Sequence, residues 1–136
     1  MEENILYGKS ILCLENFSAE EIQLVLKTAK KMKKIIRGEV KKVDSLRGRA
    51  IVILFMENST RTRTSFELAG KYLGADVVNI NAATSSISKG ESLRDTLRTI
   101  EAMQVDAVII RHKAEGSAEY ASKVIKPIII NAGDGA

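Results

Sequence analysis

The strongest structural signal in this chain is the apolar run Ala50-Ile51-Val52-Ile53-Leu54-Phe55, which three residues separate from the polar cluster Ser59-Thr60-Arg61-Thr62-Arg63. A continuous apolar run of this length predicts a strand that is buried on both faces, as in a parallel sheet. Apolar residues then recur at helical spacing between residues 66 and 73, and Gly74 is a suitable residue to end a helix. The sequence therefore predicts a strand and a helix with hydroxyl and guanidinium groups at their junction.

This polar cluster is placed in the first turn of the predicted helix, where a protein binds anions most readily. Unpaired backbone N–H groups and the positive end of the helix dipole both favour negative charge there. Hydroxyl groups and a forked guanidinium donor add the geometry that suits a phosphate group. Arg61 and Arg63 point about 200° apart on a helix, so they do not both face one ligand. Arg61, nearer the helix start, is predicted to bind the anion, and Arg63 to pair with an acid such as Glu67.

Length and composition are those of a single ordinary domain. The chain has 136 residues, 45% of them apolar, and contains no run near the ~20 apolar residues that span a bilayer. Its one cysteine, Cys13, excludes an internal disulfide and a cysteine-based metal site. The acidic start, Met1 to Asn4, lacks the layout of a secretory signal, so we expect a cytoplasmic protein. No metal or other cofactor is expected.

The net charge of +4 and the isoelectric point near 9.2 raise the question of a nucleic-acid partner. Basic residues cluster between Lys27 and Lys42, mostly on one predicted helix, which favours an ordinary solvated helix face. Aromatic residues make up only 4% of the chain, too few for stacking on single strands. The charge therefore indicates small anions, and neither nucleic acid nor membrane is expected as a partner.

Strands alternate with helices along the whole chain. Strands are predicted at about residues 49–56, 75–80, 106–111 and 127–131. The first helix is predicted to start at a capping box of Ser18 and Glu21 and to end at Gly38, and Ser117 is predicted to cap the fourth helix. This alternation predicts an α/β fold, a three-layer sandwich with a four-stranded parallel sheet covered by helices on both faces.

In such a sheet, the loops that follow the strands line a common crevice where ligands bind. Here the strand ends lead into the groups Ser59–Arg63, Thr84–Lys89, Arg111–His112 and Asn131–Gly135, and three of these ends supply a cation. The only histidine, His112, is predicted to serve packing or hydrogen bonding, because no nucleophile and acid are spaced for catalysis with it.

The usual nucleotide loops are excluded. Gly8-Lys9-Ser10 matches the end of a P-loop, but Glu3 stands where its first glycine is required. No G-x-G-x-x-G follows a strand either, so a dinucleotide fingerprint is missing.

Four ordered motifs resemble a known family. Phe55–Glu67 is similar to the carbamoyl-phosphate signature of the aspartate and ornithine carbamoyltransferases. Three further segments resemble the aspartate branch: Ser85–Thr96, Ile110–His112 and Asn131–Gly135. The resemblance runs from about Leu6 to the last residue. Asn58 departs from the small residue or proline more usual at its position.

The resemblance implies roles for the residues that match. The phosphate of carbamoyl phosphate would be held by Ser59, Thr60, Arg61 and Thr62. Arg61 would neutralise the departing phosphate, and Thr62 with Arg111 would polarise the carbonyl oxygen.

The resemblance also implies a homotrimer with shared active sites. Ser85 and Lys89 would reach into the carbamoyl-phosphate site of a neighbouring subunit, where Lys89 acts as a catalytic residue. Arg63 would have a structural role. The branch also leaves open association with a regulatory chain.

The implied reaction is attack of the L-aspartate amine on carbamoyl phosphate, giving N-carbamoyl-L-aspartate and phosphate for pyrimidine biosynthesis. Residues 1–136 are then expected to be the carbamoyl-phosphate-binding domain, with the aspartate-binding domain absent from this chain. Two alternatives stay open: an ornithine-type carbamoyltransferase, and a truncated, non-catalytic binding or assembly module.

Overall fold

Helices and strands alternate in the computed structural model, which describes residues 4–81 and 92–135. Within these residues the order of elements is α1 Ala19–Ile36, β1 Ala50–Phe55, α2 Thr60–Tyr72, β2 Asp76–Asn81, α3 Leu93–Ala102, β3 Ala107–Arg111, α4 Ser117–Val124 and β4 Ile128–Asn131. The predicted alternation is confirmed, with element ends within one or two residues of the expected positions. None of the helices in the described ranges is long and apolar enough to cross a membrane.

The strands form one parallel sheet in the order β2-β1-β3-β4. Strand β1 lies inside the sheet and pairs with β2 on one side and with β3 on the other, with Phe55 opposite Arg111 in the second pair. Its central side chains Ile53 and Leu54 are fully buried. Because β1 is covered on both faces and paired on both edges, its sequence is apolar throughout and does not alternate between apolar and polar residues.

Helices cover both faces of the sheet, which confirms the predicted three-layer sandwich. On one face, Val52 and Leu54 of β1 pack in a cluster with side chains of α3 and α4. On the other face, Ile53 and Phe55 pack with Ile109 and with Phe66 of α2. The successive side chains of β1 thus point alternately into two cores, as the pleat of a strand requires.

The segment before α1 covers the outer edge of β4. Ile11 forms a parallel bridge with Ile130, and the Ser10 hydroxyl accepts a hydrogen bond of 2.9 Å from the Ile129 N–H. An uncovered edge offers unpaired N–H and C=O groups to other chains. This segment therefore satisfies part of the β4 edge within the same molecule.

Helix α1 starts as predicted. The Ser18 hydroxyl accepts from the Glu21 N–H at 3.1 Å, and the Glu21 carboxylate accepts from the Ser18 N–H at 2.9 Å. The helix ends at Ile36, one residue before the cap Arg37, and Gly38 follows. The predicted boundaries of this helix are thus confirmed.

The apolar stripe of α1 is only partly covered. None of its residues is buried, and the exposed fraction is 42% for Val25 and 58% for Leu26. An apolar groove of about 330 Å³ lies between α1 and α2, with Met32 and Ile35 on one wall and Leu68 and Tyr72 on the other. Helix α1 therefore lies on the outer side of α2 and leaves an apolar surface open.

The predicted cap of α4 is wrong. Gly116 occupies the cap position with a left-handed backbone, and Ser117 is the first residue of the helix. The Ser117 hydroxyl donates instead to the Ala114 carbonyl. A residue with φ of 82° at the cap favours glycine over serine, because L side chains are strained there.

The capping box of α1 predicts a pH-dependent stability. The Lys9 ammonium, 2.6 Å from the Glu21 carboxylate, and the Ser18 N–H lower the pKa of Glu21 below its ordinary value of 4.5. Since a lowered carboxyl pKa stabilises the fold only when the group is ionised, this contribution is present above about pH 4.5 and is lost as the pH falls through the folded-state pKa. We expect Glu21→Gln to lower Tm near neutral pH and the difference from wild type to shrink on acidification. Glu20→Gln, in the same turn, is the control, and a Tm difference for Glu21→Gln that is independent of pH contradicts this explanation.

The contact between α2 and β2 predicts a cost for a single added methyl group. Gly70 is buried, and a Cβ at this position would lie 2.7 Å from Val77 Cγ2. Overpacking of this kind costs about 1–3 kcal/mol, against a gain of about 1 kcal/mol from helix propensity. We expect Gly70→Ala to lower the urea midpoint, whereas Gly38→Ala, whose Cβ would meet its nearest neighbour at 3.4 Å, leaves it nearly unchanged. An unchanged or raised midpoint for Gly70→Ala would contradict this prediction, because it would show that α2 and β2 move apart to accommodate the methyl group without a loss of stability.

Candidate functional site

The candidate site lies at the carboxyl end of the sheet, between β1 and β3. The chain leaves β1 to form β2 on one side and leaves β3 to form β4 on the other side. This is the topological switch point of the sheet, where the two departing loops open a crevice that ligands occupy in folds of this kind. The polar cluster follows β1, and Arg111 is the last residue of β3.

Helix α2 begins inside the polar cluster, as predicted. Ser59 is the residue before its first turn, and the Ser59 carbonyl accepts from the Arg63 N–H at 2.9 Å. Within the described residues, the Ser59 side chain makes no capping hydrogen bond to the helix. The N–H groups of the first turn are therefore not occupied by their own cap and can bind an anion.

The polar side chains of this turn are open to the surface. Thr60 and Arg61 are exposed, and Ser59 and Thr62 are half-buried. The structure thus places Ser59, Thr60, Arg61 and Thr62 together on one turn. A guanidinium at this position has access to a ligand in the crevice and adds charge to the helix end.

Arg111 lies beside this turn, because β1 and β3 are paired up to their last residues. Its carbonyl accepts from the Met56 N–H at 2.8 Å. Its Nη1 donates to the Ala132 carbonyl at 2.8 Å, and its Nε is buried without a hydrogen-bond partner among the described residues. A buried donor of this kind is suited to an oxygen acceptor of a ligand.

Glu57 is a member of the site that sequence reasoning missed. Its carboxylate lies 3.7 Å from the Arg111 Nε, and both side chains are about one-third exposed. Glu57 lies two residues after the end of β1, so its position near the strand end was a signal that an acid would face the cation of the neighbouring strand. The carboxylate holds the guanidinium at the crevice and also competes with any anionic ligand for it.

The turn after β4 completes this side of the site. Asn131, Ala132 and Gly133 pass close to Arg111, and the Asp134 carboxylate accepts from the Gly116 N–H at the start of α4. The position of this segment at the crevice was predictable from sequence, but none of these contacts was.

One prediction for the same region is wrong, and another falls outside the described residues. Glu67 does not form the expected pair with Arg63; its carboxylate lies 3.0 Å from the Lys71 ammonium, one turn further along α2. The Lys71 contact, together with Asn79, lowers the pKa of Glu67. Ser85 and Lys89 lie outside the described residues, so their predicted positions stay predictions.

His112 and the Gly8-Lys9-Ser10 segment both make contacts within the fold. The His112 Nδ1 accepts from the Ala114 N–H at 2.9 Å. Lys9 pairs with Glu21 and also lies 4.2 Å from the centre of the Phe17 ring, while Ser10 binds β4. Within residues 4–81 and 92–135, no three side chains of His, Cys, Asp or Glu are grouped as they would be around a metal ion.

Comparison with known proteins agrees with this geometry. A family described as "Aspartate/ornithine carbamoyltransferase, carbamoyl-P binding domain" matches residues 9–136. The aspartate carbamoyltransferase catalytic subunit of Pelotomaculum thermopropionicum is 58% identical over 131 residues, which cover 96% of this chain and 42% of that protein. The corresponding subunit of Moorella thermoacetica is 56% identical over 130 residues, with the same coverage of 96% and 42%.

Solved structures give the same result. Aspartate transcarbamoylase from Trypanosoma cruzi, in complex with carbamoyl phosphate and aspartate, superimposes with a TM-score of 0.85 at 39% identity. The match covers 94% of this chain and 39% of that chain. This protein thus spans about two-fifths of the length of these relatives. The fold, the ordered motifs and these matches together show that the chain belongs to the aspartate/ornithine carbamoyltransferase family, where it corresponds to the carbamoyl-phosphate-binding domain.

Proposed function

We propose that this chain binds carbamoyl phosphate at the crevice between β1 and β3, and that it does so as part of an enzyme that carbamoylates L-aspartate. The observation that carries the proposal is the placement of the first turn of α2, with Arg61 and its hydroxyl neighbours, beside Arg111 at the end of the paired strand. The T. cruzi relative was solved with carbamoyl phosphate and aspartate, the two substrates in question.

The phosphate half of the ligand is assigned to the start of α2. The N–H groups of the first turn and the hydroxyls of Ser59, Thr60 and Thr62 donate to the phosphate oxygens, and the Arg61 guanidinium balances their charge. As the bond from carbon to the bridging oxygen breaks, negative charge accumulates on the phosphate. A fixed cation at this place stabilises the transition state more than the ground state.

The carbamoyl half is assigned to Arg111 and Thr62. Both donate to the carbonyl oxygen, on which charge develops when the amine adds to the carbon. The forked guanidinium of Arg111 is also assigned to one oxygen of the phosphate, because the end of β3 lies beside the loop that leads into α2. The buried Arg111 Nε supports this assignment, since it makes no hydrogen bond with the described residues and the Glu57 carboxylate lies 3.7 Å away from it.

The reaction needs alignment and charge stabilisation. The neutral amine of L-aspartate attacks the carbamoyl carbon, the new C–N bond forms, and phosphate leaves with the electron pair of the C–O bond. The amine nitrogen passes one proton to the departing phosphate, and N-carbamoyl-L-aspartate and hydrogen phosphate are the products. Arg61, Thr62 and Arg111, with Lys89, are the residues to which we assign catalysis.

The proposal extends to a shared site. Ser85 and Lys89 are assigned to the carbamoyl-phosphate site of a neighbouring subunit in a homotrimer, as the resemblance implies. The full enzyme would then act in the cytoplasm in pyrimidine biosynthesis, and a regulatory chain is a further partner to test. Equilibrium sedimentation of the chain with and without residues 82–91 measures the oligomeric part of this proposal.

The aspartate-binding function is assigned to a further domain of the enzyme, outside residues 1–136. The relatives described above are more than twice as long as the matched region, which supports this division. The open apolar stripe of α1 and the groove beside α2 are consistent with this division, because exposed apolar side chains grouped on one surface can mark a contact with another part of a protein. Both relatives belong to the aspartate branch, which favours aspartate over ornithine as the acceptor.

Thermal unfolding tests the phosphate site. Carbamoyl phosphate or inorganic phosphate at a hundredfold excess over its Kd stabilises the folded chain by about 2.7 kcal/mol, so Tm rises, whereas aspartate alone gives no rise. We expect Arg61→Ala to abolish most of this protection. Lys30→Ala, which removes one positive charge from the surface of α1, is the control for net charge. Full protection of Arg61→Ala would place the anion elsewhere.

A second test removes the charge of the Glu57 carboxylate, and here we expect the ligand to bind more tightly. Because it competes with the ligand for Arg111, Glu57→Gln is expected to tighten binding of inorganic phosphate roughly fivefold at low ionic strength, and less in high salt. Isothermal titration measures the Kd. Glu67→Gln removes a carboxylate that pairs with Lys71 and is expected to leave the Kd unchanged. Unchanged or weaker binding by Glu57→Gln would show that Arg111 does not meet the phosphate ligand.

A further inference from the structure

The turn Asn131–Gly133, which begins at the last residue of β4, is tied to β3 on both sides of Arg111. The Ala132 N–H donates to the Ile110 carbonyl, and the His112 N–H donates to the Gly133 carbonyl, both at 2.8 Å. Residues 110 and 112 flank Arg111 in the chain. The backbone around Arg111 and the backbone of the turn therefore form one hydrogen-bonded unit.

The turn is held from its other side by Asn131. Its Oδ1 accepts from the Gly133 N–H at 2.9 Å, and its Nδ2 donates to the Leu12 carbonyl at 2.9 Å. The Asn131 N–H donates to the Ile11 carbonyl as well, at 2.8 Å. One side chain thus connects the turn with the segment that covers the edge of β4.

The Arg111 side chain lies directly against this turn. Its Nη1 donates to the Ala132 carbonyl at 2.8 Å. Gly133 has φ of 134°, a conformation that L side chains rarely adopt. A Cβ at Gly133 would lie 2.7 Å from Nη1, 3.2 Å from Cζ and 3.4 Å from Cγ of Arg111. The guanidinium can occupy its observed place only because residue 133 has no side chain.

We propose that Gly133 is a positioning residue for Arg111: the Asn131–Gly133 turn holds the guanidinium toward the ligand crevice and lowers the entropy that Arg111 loses when it binds. This inference rests on the proposed function, in which Arg111 binds the substrate. A free arginine side chain samples many rotamers, and ordering it on binding weakens affinity. A side chain that is already ordered by the Ala132 carbonyl and by the space at Gly133 avoids much of this loss.

The first test is a double-mutant cycle with inorganic phosphate as the probe. Gly133→Ala is expected to weaken phosphate binding about tenfold in the wild-type background and less than about twofold in an Arg111→Ala background, since the effect passes through Arg111. Gly48→Ala is the matched control. It replaces a glycine at φ of 81° with nothing within 4 Å of the added Cβ, so it carries backbone strain without a contact. Equal losses in both backgrounds would overturn the proposal.

The second test does not depend on ligand binding. The NMR signal of the Arg111 Nε–H group, assigned by its disappearance in Arg111→Ala, reports where the guanidinium lies. We expect this signal to shift in Gly133→Ala and to stay in place in Gly48→Ala. An unchanged signal in Gly133→Ala would overturn the positioning role even if phosphate does not bind. A shifted signal in a chain that binds no phosphate would support the positioning role and refute the proposed function.

Asn131→Ala is a second variant in case Gly133→Ala does not fold. It removes the side-chain hydrogen bonds that hold the turn and adds no atom near Arg111. We expect a smaller loss of phosphate affinity, about threefold, which again disappears in the Arg111→Ala background. A loss that persists without Arg111 would show that the turn acts through another group.

Discussion

The site depends on the parallel pairing of β1 with β3. This pairing brings Phe55 opposite Arg111 and continues with the hydrogen bond from the Met56 N–H to the Arg111 carbonyl. Because parallel strands end at the same edge of the sheet, the start of α2 and the Arg111 side chain lie on the same side of the molecule. Since the chain departs from the two strands in opposite directions, the space between their loops remains open for a ligand.

The proposed phosphate site differs in its arrangement from a glycine-rich loop. Its donors come from two strand ends that are far apart in the chain: the first turn of α2, and a guanidinium at the end of β3. The helix turn contributes N–H and hydroxyl donors, and Arg111 contributes charge from the neighbouring strand. Glu57 and the Ala132 carbonyl hold this charge at the crevice while they compete with the ligand for its donors. In this proposal, the affinity for the ligand depends on two opposing effects: these contacts order Arg111, and they also compete with the ligand for it.

The two faces of the sheet are covered unequally. Helices α3 and α4 lie over one face, where ten buried residues among those described form the main core, whereas the cluster under α2 contains three of the described residues. Helix α1 lies outside α2 and buries none of its residues, although its apolar positions recur at helical spacing. The apolar pattern of α1 is therefore typical of a helix that packs against more surface than the described residues offer. This agrees with the proposal that the domain works within a longer enzyme.

Local signals in the sequence were sufficient to predict the secondary structure and part of the candidate site. The apolar run of β1, the capping box at Ser18 and the polar cluster at the start of α2 each act within a few residues, so the chain itself specifies them. The alternation of elements was enough to predict a parallel three-layer sandwich and a crevice at its carboxyl edge. The residues Ser59, Thr60, Arg61 and Thr62 could be grouped from sequence because one helix turn carries them all.

Only the tertiary structure decided which distant residues meet. The order β2-β1-β3-β4, the approach of Glu57 and Gly133 to Arg111, and the pairing of Glu67 with Lys71 rather than with Arg63 were not readable in advance. The cap of α4 was predicted wrongly for a related reason, since a serine and a glycine were adjacent and the backbone angle selected the glycine. The physical reason is the same in each case: strand order and side-chain contacts follow from how separate elements pack, and packing depends on surfaces that the chain brings together only when it folds.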